Sequence, residues 1–361
     1  MIGRRAFLGS AAAALATFSR GALADVVYLA NPGGWRSFEV TTRLALESNG
    51  AATQAWVPLP SFVADEWMRP TAEDRWTTNA KSARVVRDPR YGAKMLHLSW
   101  AQGEAAPVVE IVSRTTTRDR SRAPRPATLG AAERRLYTSP TALIPTDGIV
   151  KQTSNKIVGG ASSDEAKARA LYEWVVENTY RNPSTRGCGR GDIAGMLKTG
   201  DLGGKCADIN ALYVGLVRAQ GIPARDLYGL RAGKSQFGYK SLGVNTEVAT
   251  KAQHCRAEVF LAGSGWTATD PADVRKVMLE EPPGGLTLAD ERVAAARKAL
   301  FGASEGNWIA YNSGHDLELP GAASSRIDFL MYPQAEIAGV RCDCLDPDHF
   351  RYSITAKELA A

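Results

Sequence analysis

Histidine is scarce in this chain: four residues in 361, at His97, His254, His315 and His349. A site that needs an imidazole base can therefore be composed in few ways. Long apolar runs are also missing, since nothing beyond the first 24 residues approaches the roughly 18 to 20 that cross a bilayer core. No stable membrane insertion is expected of the rest of the chain. The H-E-x-x-H of zinc proteolysis, the G-x-S-x-G nucleophile elbow and the dinucleotide-binding glycine fingerprint are all absent, as is an acidic D-x-D-x-D-G calcium loop. The run Gly200-Asp201-Leu202-Gly203-Gly204-Lys205 is one residue short of a phosphate loop, and Cys206 stands where a Ser or Thr would hold magnesium. These absences predict no metal and no cofactor. Nor is charge of one sign abundant: the net is +6, and +3 once Arg4, Arg5 and Arg20 are set aside. So mild a balance predicts no nucleic-acid partner.

What is present is ordinary globular composition, with 44% hydrophobic and 23% charged residues over a length that suits about two domains. Residues 1–24 combine the paired arginines Arg4-Arg5, a weakly apolar Ala-rich stretch from Phe7 to Phe18 and the small-x-small ending Ala22-Leu23-Ala24. That is the pattern of a cleaved export signal. The order Arg4-Arg5-x-Phe7-Leu8 resembles a twin-arginine signal, which implies a bacterial periplasm. Five cysteines, Cys188, Cys206, Cys255, Cys342 and Cys344, are an odd number for a compartment in which thiols pair. At least one is left over, a candidate for chemistry rather than framework.

Residues 25–130 read as a β-sandwich-like domain. Ser37 to Thr42 alternate, Ala55-Trp56-Val57-Pro58-Leu59-Pro60 closes on strand-ending prolines, and Met95–Trp100 and Val108–Val112 continue the pattern. The Arg-, Thr- and Pro-rich stretch 114–130 has no apolar period and reads as a solvated strand end and linker. A catalytic core is expected over 131–280 and a C-terminal extension over 281–361, whose segment from Asn307, with Trp308, Tyr311, His315 and Tyr332, would extend the core or shape its cleft. Ser163-Asp164-Glu165-Ala166 opens a helix with an N-cap and an acidic first turn. A second helix begins near Cys206 with Ile209, Leu212, Tyr213, Leu216 and Val217 on one stripe, ending at Gly221-Ile222-Pro223. Strand-like Cys255–Leu261 and Gly265–Thr269 follow, joined by a turn at Gly263-Ser264. Helices followed by strands argue for an α+β fold.

Cys206 follows two glycines and a lysine at a helix start, among unpaired backbone N–H groups and the positive end of the helix dipole, which favours thiolate. The glycines would let backbone pass close to a substrate. His254 stands at the mouth of a strand, and Asp270 sixteen positions later ends the next one. Antiparallel pairing would set them side by side, the carboxylate fixing the imidazole tautomer while the other ring nitrogen faces sulfur. Each residue alone is compatible with a buried structural role; the Cys, His, Asp order is what points to nucleophile, base and orienter.

GGKCADINALYVGLVRAQGIPAR followed by HCRAEVFLAGSGWTATDPADV resembles the core of the transglutaminase-like superfamily, papain-like in fold. The resemblance rests on Gly204-Lys205-Cys206, Gly221–Arg225, His254 with Glu258, Gly265-Trp266 and Asp270-Pro271, covers about Ala166 to Val274, and extends to the β domain before it. It implies Cys206 as nucleophile, His254 as general base and acid, and Asp270 as orienting carboxylate in acyl transfer through a thioester. Oxyanion stabilisation falls to the Cys206 N–H, with Tyr180 a second candidate; Trp174 belongs to a core stripe. Cys255 replaces a frequent Ala and, by strand alternation, should point away from Cys206. Cys342-Asp343-Cys344 suits an exposed or disulfide-linked tail better than a metal clip. Water as acceptor would make a peptidase or amidase, a lysine amine a cross-linking transglutaminase, and loss of chemistry an envelope binding module; hydrolysis is the leading expectation. A peptide or protein is the expected substrate, peptidoglycan peptide among the candidates.

Overall fold

The computed structural model describes residues 30, 34–104, 106–324 and 326–360. The export signal read at 1–24 lies outside the described residues. No described helix is long and apolar enough to cross a membrane.

Alternation of apolar and polar residues builds the first layer. Strand Trp35–Leu46 buries every second side chain, and it pairs with Val108–Arg118 on one side and Phe350–Leu359 on the other. A second five-stranded sheet runs Val340–Arg341, Gln334–Ile337, Thr53–Pro58, Lys94–Trp100 and Ser82–Arg87. Leu44, Leu46, Val109 and Ile111 of the first sheet meet Val57, Leu96, Leu98 and Trp100 of the second in one core, which is the expected β-sandwich. Its composition differs from expectation in one respect. Three strands from the C-terminal segment complete both sheets, with Ser37 opposite Leu359 at one end of the first. The stretch 114–130 also differs. Its first residues continue strand Val108–Arg118 with buried Thr115 and Thr117, so the inward face is threonine rather than aliphatic and shows no apolar period. Beyond it Arg120 is no solvated linker residue: it ion-pairs with buried Glu258.

The α+β core stands on a four-stranded sheet in the order Gly265–Thr269, Gln253–Leu261, Ala224–Arg231, Trp308–Asn312. One face receives Phe38, Val40 and Ile354 of the sandwich against Leu227, Leu230, Trp308 and Ile309. The other is covered by helix Cys206–Arg218, flanked by helices Asp164–Asn178 and Pro271–Glu280. Ser163 caps the first of these flanking helices as expected, its hydroxyl accepting from the Ala166 N–H at 3.1 Å. Because it is enclosed on all sides, Cys206–Arg218 buries all of its residues rather than one stripe.

The Gly221–Arg225, His254/Glu258 and Gly265-Trp266 motifs are joined by one buried contact. Arg225 and Glu258 are register partners across two strands, and the guanidinium donates to the carboxylate at 2.6 Å. Trp266 stacks on Arg225, whose Cζ lies 3.8 Å from a ring centroid. These residues hold the sheet that carries His254; they do not touch the chemistry. Glu258 answers two guanidiniums, Arg225 and Arg120. Removing it leaves both without a buried counter-charge, a loss of about 3 kcal/mol or more. Glu258→Gln is therefore expected to lower the thermal midpoint by several degrees in a calorimetric scan, and an unchanged midpoint would refute a stabilising role.

Candidate active site

Cys206 opens its helix directly after the parallel pairing of Tyr180–Arg181 with Gly203–Gly204. Both glycines are required by close approach of the protein's own atoms. A Cβ at Gly203 would lie 2.2 Å from the Tyr180 ring, and one at Gly204 would lie 2.5 Å from Asp208 Cβ. Asp208, at the third helical position, turns back to accept from the Lys205 N–H at 3.1 Å and from the Arg190 and Gly191 N–H groups at 2.9 Å. Local packing thus fixes the helix start. The Ala207 N–H is taken by the Cys188 carbonyl at 2.9 Å, whereas among the described residues no acceptor meets the Cys206 N–H. The expected oxyanion donor is left open.

Tyr180 is not brought to that position. It is 45% exposed, and its hydroxyl donates to Asp201 at 2.8 Å while its ring covers Gly203. Its role here is to shape the glycine turn.

His254 and Asp270 meet, by a route other than the expected one. Strand pairing ends at Ala257 opposite Thr269, so Asp270 is not across from His254. Instead Asp270 leaves the strand to cap helix Pro271–Glu280, accepting from the Asp273 N–H at 3.0 Å, and its other oxygen lies 2.8 Å from His254 Nε2. The cap brings in a residue that sequence reasoning missed: Asp273 Oδ1 stands 3.3 Å from the same nitrogen. An acid three positions after an Asp N-cap is the signal that could have found it. Asn210, also missed, donates to Asp270 Oδ1 at 3.2 Å and to the Cys255 carbonyl at 2.9 Å. Lying one helical turn after Cys206, it faces the same way. Trp308 donates its indole N–H to the His254 carbonyl at 3.0 Å, passing over Gly229, where any Cβ would strike the ring.

The electrostatics favour an ion pair. The Cys206 thiol is held well below its ordinary range, by hydrogen bonds from Cys188 and Cys255 first and by the bond and charge of His254, all against the cost of burial. Cys255 is thus a correction: alternation aims it at helix Cys206–Arg218, together with Ala257 and Val259, and so toward Cys206. Burial pushes the Cys255 thiol up, and the hydrogen bond to Cys206 pushes Cys188 up, both opposite in direction to Cys206. For His254, burial and the Arg231 charge oppose protonation, yet Asp273 and Asp270 outweigh them and raise the imidazole to about 10. Burial and the neighbouring Asp273 raise Asp270, whereas Arg231, which ion-pairs with Asp273, overcomes burial and keeps that carboxylate low.

His254, Asp270 and Asp273 are also, among the described residues, the three potential ligand groups close enough to hold a metal ion. They are buried, and Arg231 and Arg256 already stand against their carboxylates. That arrangement suits an imidazolium better than a metal cation. All five cysteines are free thiols, with Cys342 and Cys344 half-buried under the sandwich. A cleft of about 830 Å³ opens onto Cys206 and His254, which are each 4% exposed.

Iodoacetamide alkylation of Cys206, read by peptide mass spectrometry, is expected to change less than about threefold between pH ~6 and ~8, where an ordinary thiol gains thiolate by nearly ~100-fold. In His254→Ala the steep rise should return, with the rate at pH ~7 down about tenfold or more. A steep profile in the unmutated protein would contradict the ion pair.

The family description "Transglutaminase-like superfamily" matches residues 151–271. An uncharacterized protein of Haemophilus influenzae is 35% identical over 331 residues, covering 85% of this chain and 86% of its own length. Among solved structures, a candidate cysteine protease from Cytophaga hutchinsonii superposes with a TM-score of 0.56 at 12% identity, covering 91% of this chain and 92% of that one. This likeness concerns the fold. With a cysteine at the helix start, a histidine strand and an aspartate cap in one buried cluster, the chain belongs to the transglutaminase-like superfamily.

Proposed function

We propose that this protein is an exported, cysteine-dependent acyl-transfer enzyme that attacks amide bonds of peptides or proteins and releases the acyl group to water. The observation that carries the reading is the buried Cys206–His254–Asp270 cluster at the floor of an open cleft. The Cys206 thiolate adds to the amide carbonyl carbon, and the oxygen takes the charge beside the free Cys206 N–H. Collapse breaks the C–N bond as imidazolium His254 gives its proton to the leaving amine, leaving a thioester and neutral imidazole. Water then adds with its proton passing to His254, the C–S bond breaks, and thiolate, imidazolium and a carboxylic acid product result. Asp270 and Asp273 hold the ring through both halves, and Asn210 holds Asp270.

Hydrolysis is favoured over amine transfer by the charge of the cleft. Its lining includes seven arginine and lysine side chains, which four neighbouring carboxylates, Glu280, Asp343, Asp273 and Glu47, answer only in part. A lysine that arrives as its ammonium would be repelled there before it could lose a proton and attack as the neutral amine, whereas water is not. The address outside the cytoplasm rests on residues 1–24, and peptidoglycan peptides and exported proteins are the candidate substrates it brings within reach.

Incubation of the mature protein with an amide-rich envelope or protein extract and a primary amine, followed by mass spectrometry, tests the reading. New termini or released ammonia alone are expected. Amine incorporation would make it a cross-linking enzyme, and neither product would point to a binding module. On a peptide so identified, kcat/KM should fall on the alkaline side near the His254 value of about 10. Asp270→Asn removes a negative charge that favours the imidazolium, so that limb should move to lower pH, with Asp273 keeping it above the ordinary histidine value. An unmoved limb would remove Asp270 from the site.

A further inference from the structure

The cations of the cleft are more numerous than their partners. Arg181 and Lys276 share one carboxylate, Glu280. Arg186, Arg231 and Arg351 each have one, at Asp343, Asp273 and Glu47. Lys205 and Lys251 have none within salt-bridge distance among the described residues. A surplus of positive charge therefore faces the cleft, and it is concentrated near the nucleophile. Arg181 pairs in register with Gly204, two residues before Cys206, while Lys205 adjoins Cys206 directly. Lys276 is mostly buried, and burial, followed by the charges of Arg181 and Arg231, holds it below the ordinary lysine range. Like charges crowded in this way are costly unless an anion from outside completes them. Val244 and Tyr352 line the same cleft, so an occupant's apolar surface has a place beside its negative charge.

We propose that the cleft selects acidic peptides, a substrate carboxylate docking on the Arg181–Lys276–Lys205 group beside the acyl bond that Cys206 attacks. The inference rests on the reading of Cys206 as nucleophile and adds the substrate class. An acidic side chain and a free chain terminus offer the same carboxylate, whereas a sulfated or phosphorylated polymer offers charge without apolar side chains.

The test is binding without turnover, by calorimetry on full-length mature Cys206→Ser protein. The probes are an N-acetylated, C-amidated heptapeptide with two central Glu residues, its Gln counterpart, and the Gln peptide with a free C-terminus. The Glu peptide is expected to bind about tenfold or more tightly than the Gln peptide at low salt, the gap closing as salt rises. Tighter binding of the free-terminus peptide instead would assign the site to a terminal carboxylate and overturn the side-chain form of the proposal. Arg181→Gln should abolish the preference, and Lys276→Glu should invert it in favour of a Lys-containing peptide. If Lys276→Glu does not fold, Arg181→Gln and the salt series decide. Equal binding of Glu and Gln peptides, or equal binding of dextran sulfate, overturns the proposal. Glu-dependent binding by a protein whose Cys206 alkylates as an ordinary thiol would overturn the catalytic reading instead.

Discussion

A buried imidazolium held by two carboxylates is the constraint on which the rest of the site depends. His254 is raised to about 10 although burial and Arg231 both work against its charge. One carboxylate at hydrogen-bond distance would face that cost alone. Here the helix cap supplies two, and the guanidinium behind Asp273 keeps the second of them ionised. The thiolate of Cys206 is the fourth charge in an alternating row of guanidinium, carboxylate, imidazolium and sulfide. Buried charges persist when each is answered in this way, and they become costly once one member is removed.

The scaffold is arranged to keep that row dry on one side and open on the other. Helix Cys206–Arg218 presses against one face of the sheet that carries His254, and the β-sandwich presses against the other. Strand Ala224–Arg231 is buried along its whole length, charged residues included. The C-terminal strand Phe350–Leu359 ties these parts together: it pairs with Trp35–Leu46 in the sandwich and contributes Phe350 and Tyr352 to the cleft. Sandwich and active site are thus joined by chain that is distant in sequence.

Cys206, His254 and Asp270 stand out in the sequence because each carries a local mark: glycines before a helix, the mouth of a strand, the end of the next strand, although the structure makes Asp270 a helix cap rather than a strand partner. Helix Asp164–Asn178 was legible from its cap for the same reason. The second grip on His254 comes from Asp273, which the helix cap places there and which the Asp-x-x-Asp spacing alone would have marked. Tyr180 shares the aromatic character of an oxyanion neighbour, but its hydroxyl is spent on Asp201. Cys255 was misread because alternation says which residues share a face, not which helix covers that face. The joining of residues near 355 to those near 41 leaves no local trace, so the C-terminal strands of the sandwich were out of reach of periodicity.

The protonation state of the His254 ring tests the central claim most directly. Long-range nitrogen–proton NMR of the protein labelled at histidine should show both His254 nitrogens protonated at pH ~8, with titration only as pH approaches about 10. A neutral single tautomer at pH ~8, titrating near the ordinary value of ~6.5, would contradict the account.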